Sequence, residues 1–110
     1  MTQLPWLATL EEFESNLGRD GEDFWIGISH GSMRVELFAP KLNDTQQPHD
    51  QDEMYIVLRG TAAFQKNGTT VDVSAGDVMF VEAAMPHRFT RLSDDFATWV
   101  VFWGRKGGEI

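Results

Sequence analysis

Two of the three histidines in this 110-residue chain stand at spacings that suit metal binding. Glu53 follows His49 closely, and His87 lies further along the chain near the flank of another predicted strand. Gln47, His49 and Glu53 are separated by even numbers, so an extended chain points all three to one side. Two imidazoles and one carboxylate form the facial set that suits a divalent first-row metal with open positions. The alternative is that each histidine is a surface or hydrogen-bonded residue.

Short strands must position these side chains, because apolar and polar residues alternate from residue 24 onward. The dipeptide Asn67-Gly68 is a strong hairpin indicator between two such stretches. No helical stretch separates the strands, which excludes a parallel α/β sheet and predicts an all-β sandwich or barrel. The predicted strands are 24–28, 32–39, 54–58, 61–66, 70–73, 77–81, 87–92 and 97–103.

The first segment predicts a short helix that docks onto the main fold. Thr9 can cap it, Phe13 and Leu17 recur at helical spacing, and Gly18 can end it in a left-handed conformation. The last predicted strand, 97–103, is apolar on both faces and must be covered on both. One cover is the barrel interior. The other is either the N-terminal helix or a second subunit, so a homodimer is expected.

The stretch from Gln47 to Gly60 resembles the first motif of the cupin superfamily, G-x5-H-x-H-x3,4-E-x6-G. His49 falls on its second histidine, Glu53 on its glutamate and Gly60 on its last glycine. The stretch 76–87 is similar to the second motif, G-x5-P-x-G-x2-H-x3-N, with His87 on its histidine.

The resemblance covers residues 32–103, and residues 61–75 separate its two motifs, a short spacing similar to that of small bacterial cupins. It implies a double-stranded β-helix, or jelly-roll barrel, with a metal in its mouth. The expected organisation is an N-terminal arm with a short helix (1–23), a cupin barrel (24–104) and a C-terminal tail (105–110).

The chain departs from both motifs. Gln47 replaces the first histidine and Lys41 the opening glycine, while Glu82, Ala84 and Arg91 replace the proline, glycine and asparagine of the second motif. The ligand set that the resemblance implies is Gln47, His49, Glu53 and His87. An amide is a weaker ligand than imidazole, which favours iron(II) or manganese, with nickel and zinc as further occupants. The alternative is a degenerate barrel without metal.

Two further residues are candidates for substrate binding. Arg91 is an even number of residues after His87, so both side chains face the same side of an extended strand. Arg91 could therefore hold a substrate carboxylate, or else form an ion pair with Glu82 or Asp94. Tyr55 shares parity with Glu53, so it could donate a hydrogen bond to a bound oxygen, or else fill the core.

Composition excludes several partners. Nine basic and 17 acidic residues give a formal charge of −8, which argues against nucleic acid and against anionic membrane surfaces. The absence of cysteine removes disulfides and thiolate ligands. No apolar run approaches the ~20 residues that span a bilayer, and the first residues do not resemble a signal peptide. A cytoplasmic location is expected.

Two functions therefore compete. One is a metal-dependent enzyme, such as a dioxygenase, acting on a small organic molecule; decarboxylase, isomerase and lyase chemistry are equally compatible with the family. The other is a non-catalytic barrel that binds a small ligand or acts as a sensor. A packed interaction module without a ligand is the third alternative.

Overall fold

The computed structural model describes residues 4–41, 44 and 47–110. Within them the chain forms one helix and eight strands, as predicted. No helix in these residues is long and apolar enough to cross a membrane. The elements are α1 (Leu10–Asn16), β1 (Phe24–His30), β2 (Met33–Phe38), β3 (Asp52–Arg59), β4 (Thr61–Lys66), β5 (Thr69–Ser74), β6 (Val78–Val81), β7 (His87–Thr90) and β8 (Ala97–Trp103).

The strands form two antiparallel sheets that close into a jelly-roll barrel. The larger sheet has the order β1-β2-β8-β3-β6, and the smaller has the order β5-β4-β7. Neighbours in each sheet are mostly distant in sequence, as in a double-stranded β-helix. The all-β prediction is confirmed.

Two turns depend on glycine. The predicted hairpin joins β4 to β5, and its Asn67 and Gly68 have φ angles of 48° and 86°, two positive values in succession that match a type I′ turn. Gly60, between β3 and β4, has φ of 80°, and a Cβ atom there would lie 2.7 Å from the Cα atom of Phe96. Both the backbone conformation and the close approach require glycine at position 60.

The barrel interior is rich in aromatic side chains. The ring of Phe89 lies 4.9 Å, between centroids, from the rings of both Tyr55 and Phe64. From β8, Val100 and Phe102 are buried in the same cluster. A cavity lies on the side of β1 and β2.

Helix α1 covers the outer face of the larger sheet. Its cap is the predicted one, since the Thr9 hydroxyl accepts a hydrogen bond from the Glu12 amide at 3.1 Å. Phe13 packs edge-on against Trp25 and Trp99, with ring centroids 5.4 and 4.8 Å apart. Of the two covers predicted for the outer face of β8, the helix is the one observed. The homodimer stays a prediction.

Candidate metal centre

Three side chains converge at the junction of the two sheets. One ligand atom each from His49, Glu53 and His87 can be chosen so that all lie within 4.8 Å of one another. Glu53 is the second residue of β3, His87 begins β7, and His49 lies in the segment before β3. Glu53 is 1% exposed and His87 is 7% exposed. Glu53 and His87 are therefore brought together in a buried position, with His49 half-buried beside them.

The segment that carries His49 is held from both sides. The amide of Ala84 donates to the carbonyl of His49 at 2.6 Å, and the amide of Gly107 donates to the carbonyl of Asp50 at 2.7 Å. The buried carboxylate of Asp52 accepts hydrogen bonds from the amides of Ala83 and Glu109 at 2.9 and 2.8 Å. Hydrogen bonds from segments 83–84 and 107–109 thus fix the backbone beside His49.

The backbone carbonyl of Met85 orients the His87 ring. Its Nδ1 atom lies 2.8 Å from the carbonyl oxygen of Met85. A carbonyl only accepts hydrogen bonds, so Nδ1 must carry a proton, and the other nitrogen is the one available to a metal. That nitrogen, Nε2, lies 3.0 Å from the Tyr55 hydroxyl and 2.7 Å from Oε1 of Glu53.

Glu53 provides the test of whether a metal fits. Neither of its carboxylate oxygens receives a hydrogen bond from the described residues. Its Oε1 atom makes one short contact, 2.7 Å to Nε2 of His87, which is an ion pair when the ring is charged. A buried carboxylate without donors is costly, and a cation removes that cost. One oxygen and two imidazole nitrogens suit a divalent first-row metal. The three residues could therefore hold such an ion.

The two imidazoles differ in their protonation. Burial lowers the pKa of His49, against the opposing influence of Glu53, which favours the neutral form of the ring that a metal ligand requires. Burial also opposes protonation of His87, but the Glu53 carboxylate and the Met85 carbonyl outweigh it and raise the pKa of His87. A metal that binds His87 must displace a proton from it when the ring is charged.

A cavity of about 610 Å³ adjoins His49. Ligand-binding cavities commonly have volumes of about 300–1,000 Å³. His49 is the member of the trio that lines this space, together with residues from β1, β2 and β8. Its other inner lining residues are Arg34, Glu36, Phe38, Asp44 and Phe102.

Sequence reasoning missed Arg34 and Glu36 as site residues. They alternate along β2 with Val35 and Leu37, which pack towards the helix, so both charged residues face the interior. The Arg34 guanidinium lies 4.8 Å from the centroid of the Phe102 ring. Burial raises the pKa of Glu36 to about 7, with Arg34 opposing this and Glu53 adding to it. The alternation of charged and apolar residues along this strand was the only sequence feature that pointed to these two residues.

The remaining predicted residues lie in different places. Tyr55 is fully buried, contacts His87 and packs among core aromatic rings, and its role in substrate binding stays a prediction. Gln47 is exposed, and its role as a fourth ligand stays a prediction. Arg91 is also exposed, and it lines a separate groove with Thr61 and Asp72. Its φ of 50° ends the extended chain after β7, so the parity with His87 is lost.

Comparison with known proteins identifies the family. The sequence model for the cupin domain matches residues 34–103. The chain belongs to the cupin family. An uncharacterized protein of Streptomyces coelicolor is 34% identical to this cupin over 95 residues, which cover 84% of this chain and 90% of the relative.

Solved structures show the same fold. KdgF from Halomonas superimposes on this cupin with a TM-score of 0.66 at 19% identity, covering 76% of this chain and 78% of KdgF. A cupin superfamily protein from Desulfitobacterium hafniense has a TM-score of 0.63 at 16% identity, covering 74% and 76% of the two chains. At these identities the likeness shows the fold alone.

Proposed function

We propose that this cupin binds a divalent transition metal (iron, manganese, nickel or zinc) through His49, Glu53 and His87, and acts on a small organic molecule in the adjoining cavity. One observation carries the proposal. Apart from its short contact with His87, the buried Glu53 carboxylate has no hydrogen-bond donor among the described residues, and one of its oxygens lies within 4.8 Å of a nitrogen of each imidazole. Such a carboxylate calls for a cation.

When bound, the metal would supply Lewis-acid polarisation of a ligand oxygen or activation of dioxygen at its open positions. The chain's own residues supply the rest. The Met85 carbonyl fixes the tautomer of His87, and the Tyr55 hydroxyl stands 3.0 Å from its Nε2 atom. The Phe102 ring lies 4.6 Å from the His49 ring and keeps that side of the site apolar. Dioxygenase, decarboxylase, isomerase and lyase chemistry all suit this arrangement.

A second candidate function is a non-catalytic barrel that binds a small ligand in the same cavity. The replacement of the family's first histidine by Gln47 favours it, because a neutral amide holds a metal less firmly than imidazole does. Both candidates share the cavity and differ in turnover. A homodimer and a cytoplasmic location stay predictions under either function.

Elemental analysis of protein purified without an affinity tag, then reconstituted with each metal, tests the first proposal. We expect close to one equivalent in the wild type and loss of metal in His49→Ala and His87→Ala. His30→Ala is the matched control, because His30 is the remaining histidine and is exposed on β1. Less than about a tenth of an equivalent in the reconstituted wild type would contradict the proposal.

Turnover separates the two functions. Dioxygen uptake and product analysis would be measured with the metal-loaded protein against a panel of small carboxylates and phenols. Consumption that is lost in His49→Ala supports the enzyme. Saturable binding of a panel member without consumption or conversion supports the non-catalytic barrel.

A further inference from the structure

Arg34 is a half-buried cation without an ion pair among the described residues. Every aspartate and glutamate of the chain belongs to that part of the structure, and none places an oxygen within 4.0 Å of the guanidinium. Arg59 contacts Glu14 at 3.3 Å and Lys66 contacts Glu82 at 2.7 Å, whereas the other lysines and arginines without an ion pair are exposed to solvent. A partly desolvated guanidinium that faces a cavity has unused hydrogen-bond donors.

The position of Arg34 is fixed by the sheet. Arg34 on β2, Phe102 on β8 and Glu53 on β3 lie side by side in one row. Neighbouring strands are about 4.8 Å apart, so the backbones of the first and last residues in this row are separated by about 10 Å. The guanidinium lies over the Phe102 ring, and the same ring contacts the His49 ring. A small molecule can therefore reach Arg34 and the candidate metal centre together.

The surroundings select the kind of ligand. A guanidinium binds a carboxylate through two parallel hydrogen bonds, which fixes both charge and orientation. Phe24, Ile26 and Phe38 give the cavity an apolar wall. Four acids also line the cavity, the exposed Glu22 and Asp23 and the buried Glu36 and Asp44, and they disfavour a ligand with several negative charges. One negative charge on an apolar body fits this combination.

We propose that the cavity binds a small monocarboxylate with an apolar body, and that Arg34 is the residue that binds its carboxylate. The inference rests on the proposed function only for the nearby metal, because the guanidinium needs no metal to bind an anion. Arg34 thereby takes the carboxylate-binding role for which Arg91 was the candidate in the sequence.

The test uses benzoate and benzamide, which have nearly the same shape and differ in charge. Dissociation constants would be measured by NMR titration with protein freed of metal by a chelator and with metal-loaded protein. We expect the metal-free wild type to bind benzoate at least about tenfold more tightly than benzamide. Arg34→Met should abolish this preference and Arg34→Lys should retain part of it. Arg91→Met, an exposed arginine outside the cavity, should bind like the wild type.

Three results would overturn the inference: no benzoate binding at millimolar concentration, equal binding of the two probes, or a preference that survives in Arg34→Met. Thermal melting checks that each variant is folded, and Arg34→Gln replaces Arg34→Met if the latter is not. Failure of the metal proposal has a different outcome, in which the protein takes up no metal yet its metal-free form still prefers benzoate. A preference that appears only with metal and ignores Arg34 would assign the carboxylate to the metal instead.

Discussion

The Nε2 atom of His87 lies 2.7 Å from Oε1 of Glu53, although the two residues belong to strands of different sheets. The other His87 nitrogen is occupied by the Met85 carbonyl, so a neutral ring would present a lone pair to a carboxylate oxygen. Two electron-rich atoms at this distance need a cation between them. In the metal-free protein that cation is a proton, which agrees with the raised pKa of His87. Metal and proton therefore compete for one place.

Glu53→Gln tests the carboxylate in this relationship. The amide keeps the size of the side chain and removes its charge, so metal affinity should fall by more than about 100-fold while the fold is retained. Isothermal titration calorimetry measures the affinity, and circular dichroism checks the fold. Asp50→Asn is the control, because Asp50 is an exposed acid in the neighbouring segment. Equal losses in the two variants would mean that general electrostatics, not ligation, governs binding.

Gln47→His tests the predicted fourth ligand. Position 47 lies two residues before His49, where the family motif has a histidine, and imidazole is a stronger ligand than an amide. We expect the metal affinity to rise by about tenfold or more, and Gln47→Ala to lower it. Unchanged affinity in both variants would remove Gln47 from the ligand set and leave the three-residue site intact. Isothermal titration calorimetry measures the metal affinity of both variants.

Glu36 should make the stability of the metal-free protein depend on pH. Its pKa is raised from 4.5 to about 7, so the folded protein holds this proton more tightly than the unfolded chain does. The free energy of unfolding should therefore fall as pH rises from 4.5 to about 7, by up to about 3 kcal/mol. Urea denaturation at pH 5 and pH 8 measures this. Glu36→Gln should remove that part of the dependence and be the more stable protein at pH 8.

The matched control for this prediction is Glu22→Gln, which changes an exposed acid at the rim of the same cavity. It should follow the wild-type pH dependence. If Glu36→Gln followed it as well, another group would be responsible for the loss of stability.

The metal-binding trio could be predicted because spacing and motif both pointed to His49, Glu53 and His87, and the structure brings them together. Arg34 and Glu36 could not, because an alternating strand has the same pattern whether its polar face meets solvent or a cavity. Only the closed barrel of the folded protein shows that this face of β2 meets a cavity and not solvent. The parity argument for Arg91 failed for a local reason, since a positive φ after β7 ends the alternation that parity assumes.

The fold itself followed closely from alternation and turn residues, as the Asn67-Gly68 hairpin shows. What sequence left open was the cover on the outer face of β8, because an apolar surface accepts a helix or a second subunit equally well. The choice depends on shape. Phe13 reaches the sheet at Gly27, where the missing side chain leaves room for its ring.

Gly27→Ala should therefore displace the helix. A Cβ atom at position 27 would lie no more than 2.8 Å from three atoms of the Phe13 ring, so the ring must move and lose contact with Trp99. We expect a loss of about 1–3 kcal/mol in unfolding free energy, measured by urea denaturation. The double variant with Phe13→Leu should recover part of it, because the smaller side chain leaves space for the new methyl group. Metal affinity should be unchanged, since the helix lies outside the barrel. Additive losses in the double variant would show that the clash with Phe13 is not the cause.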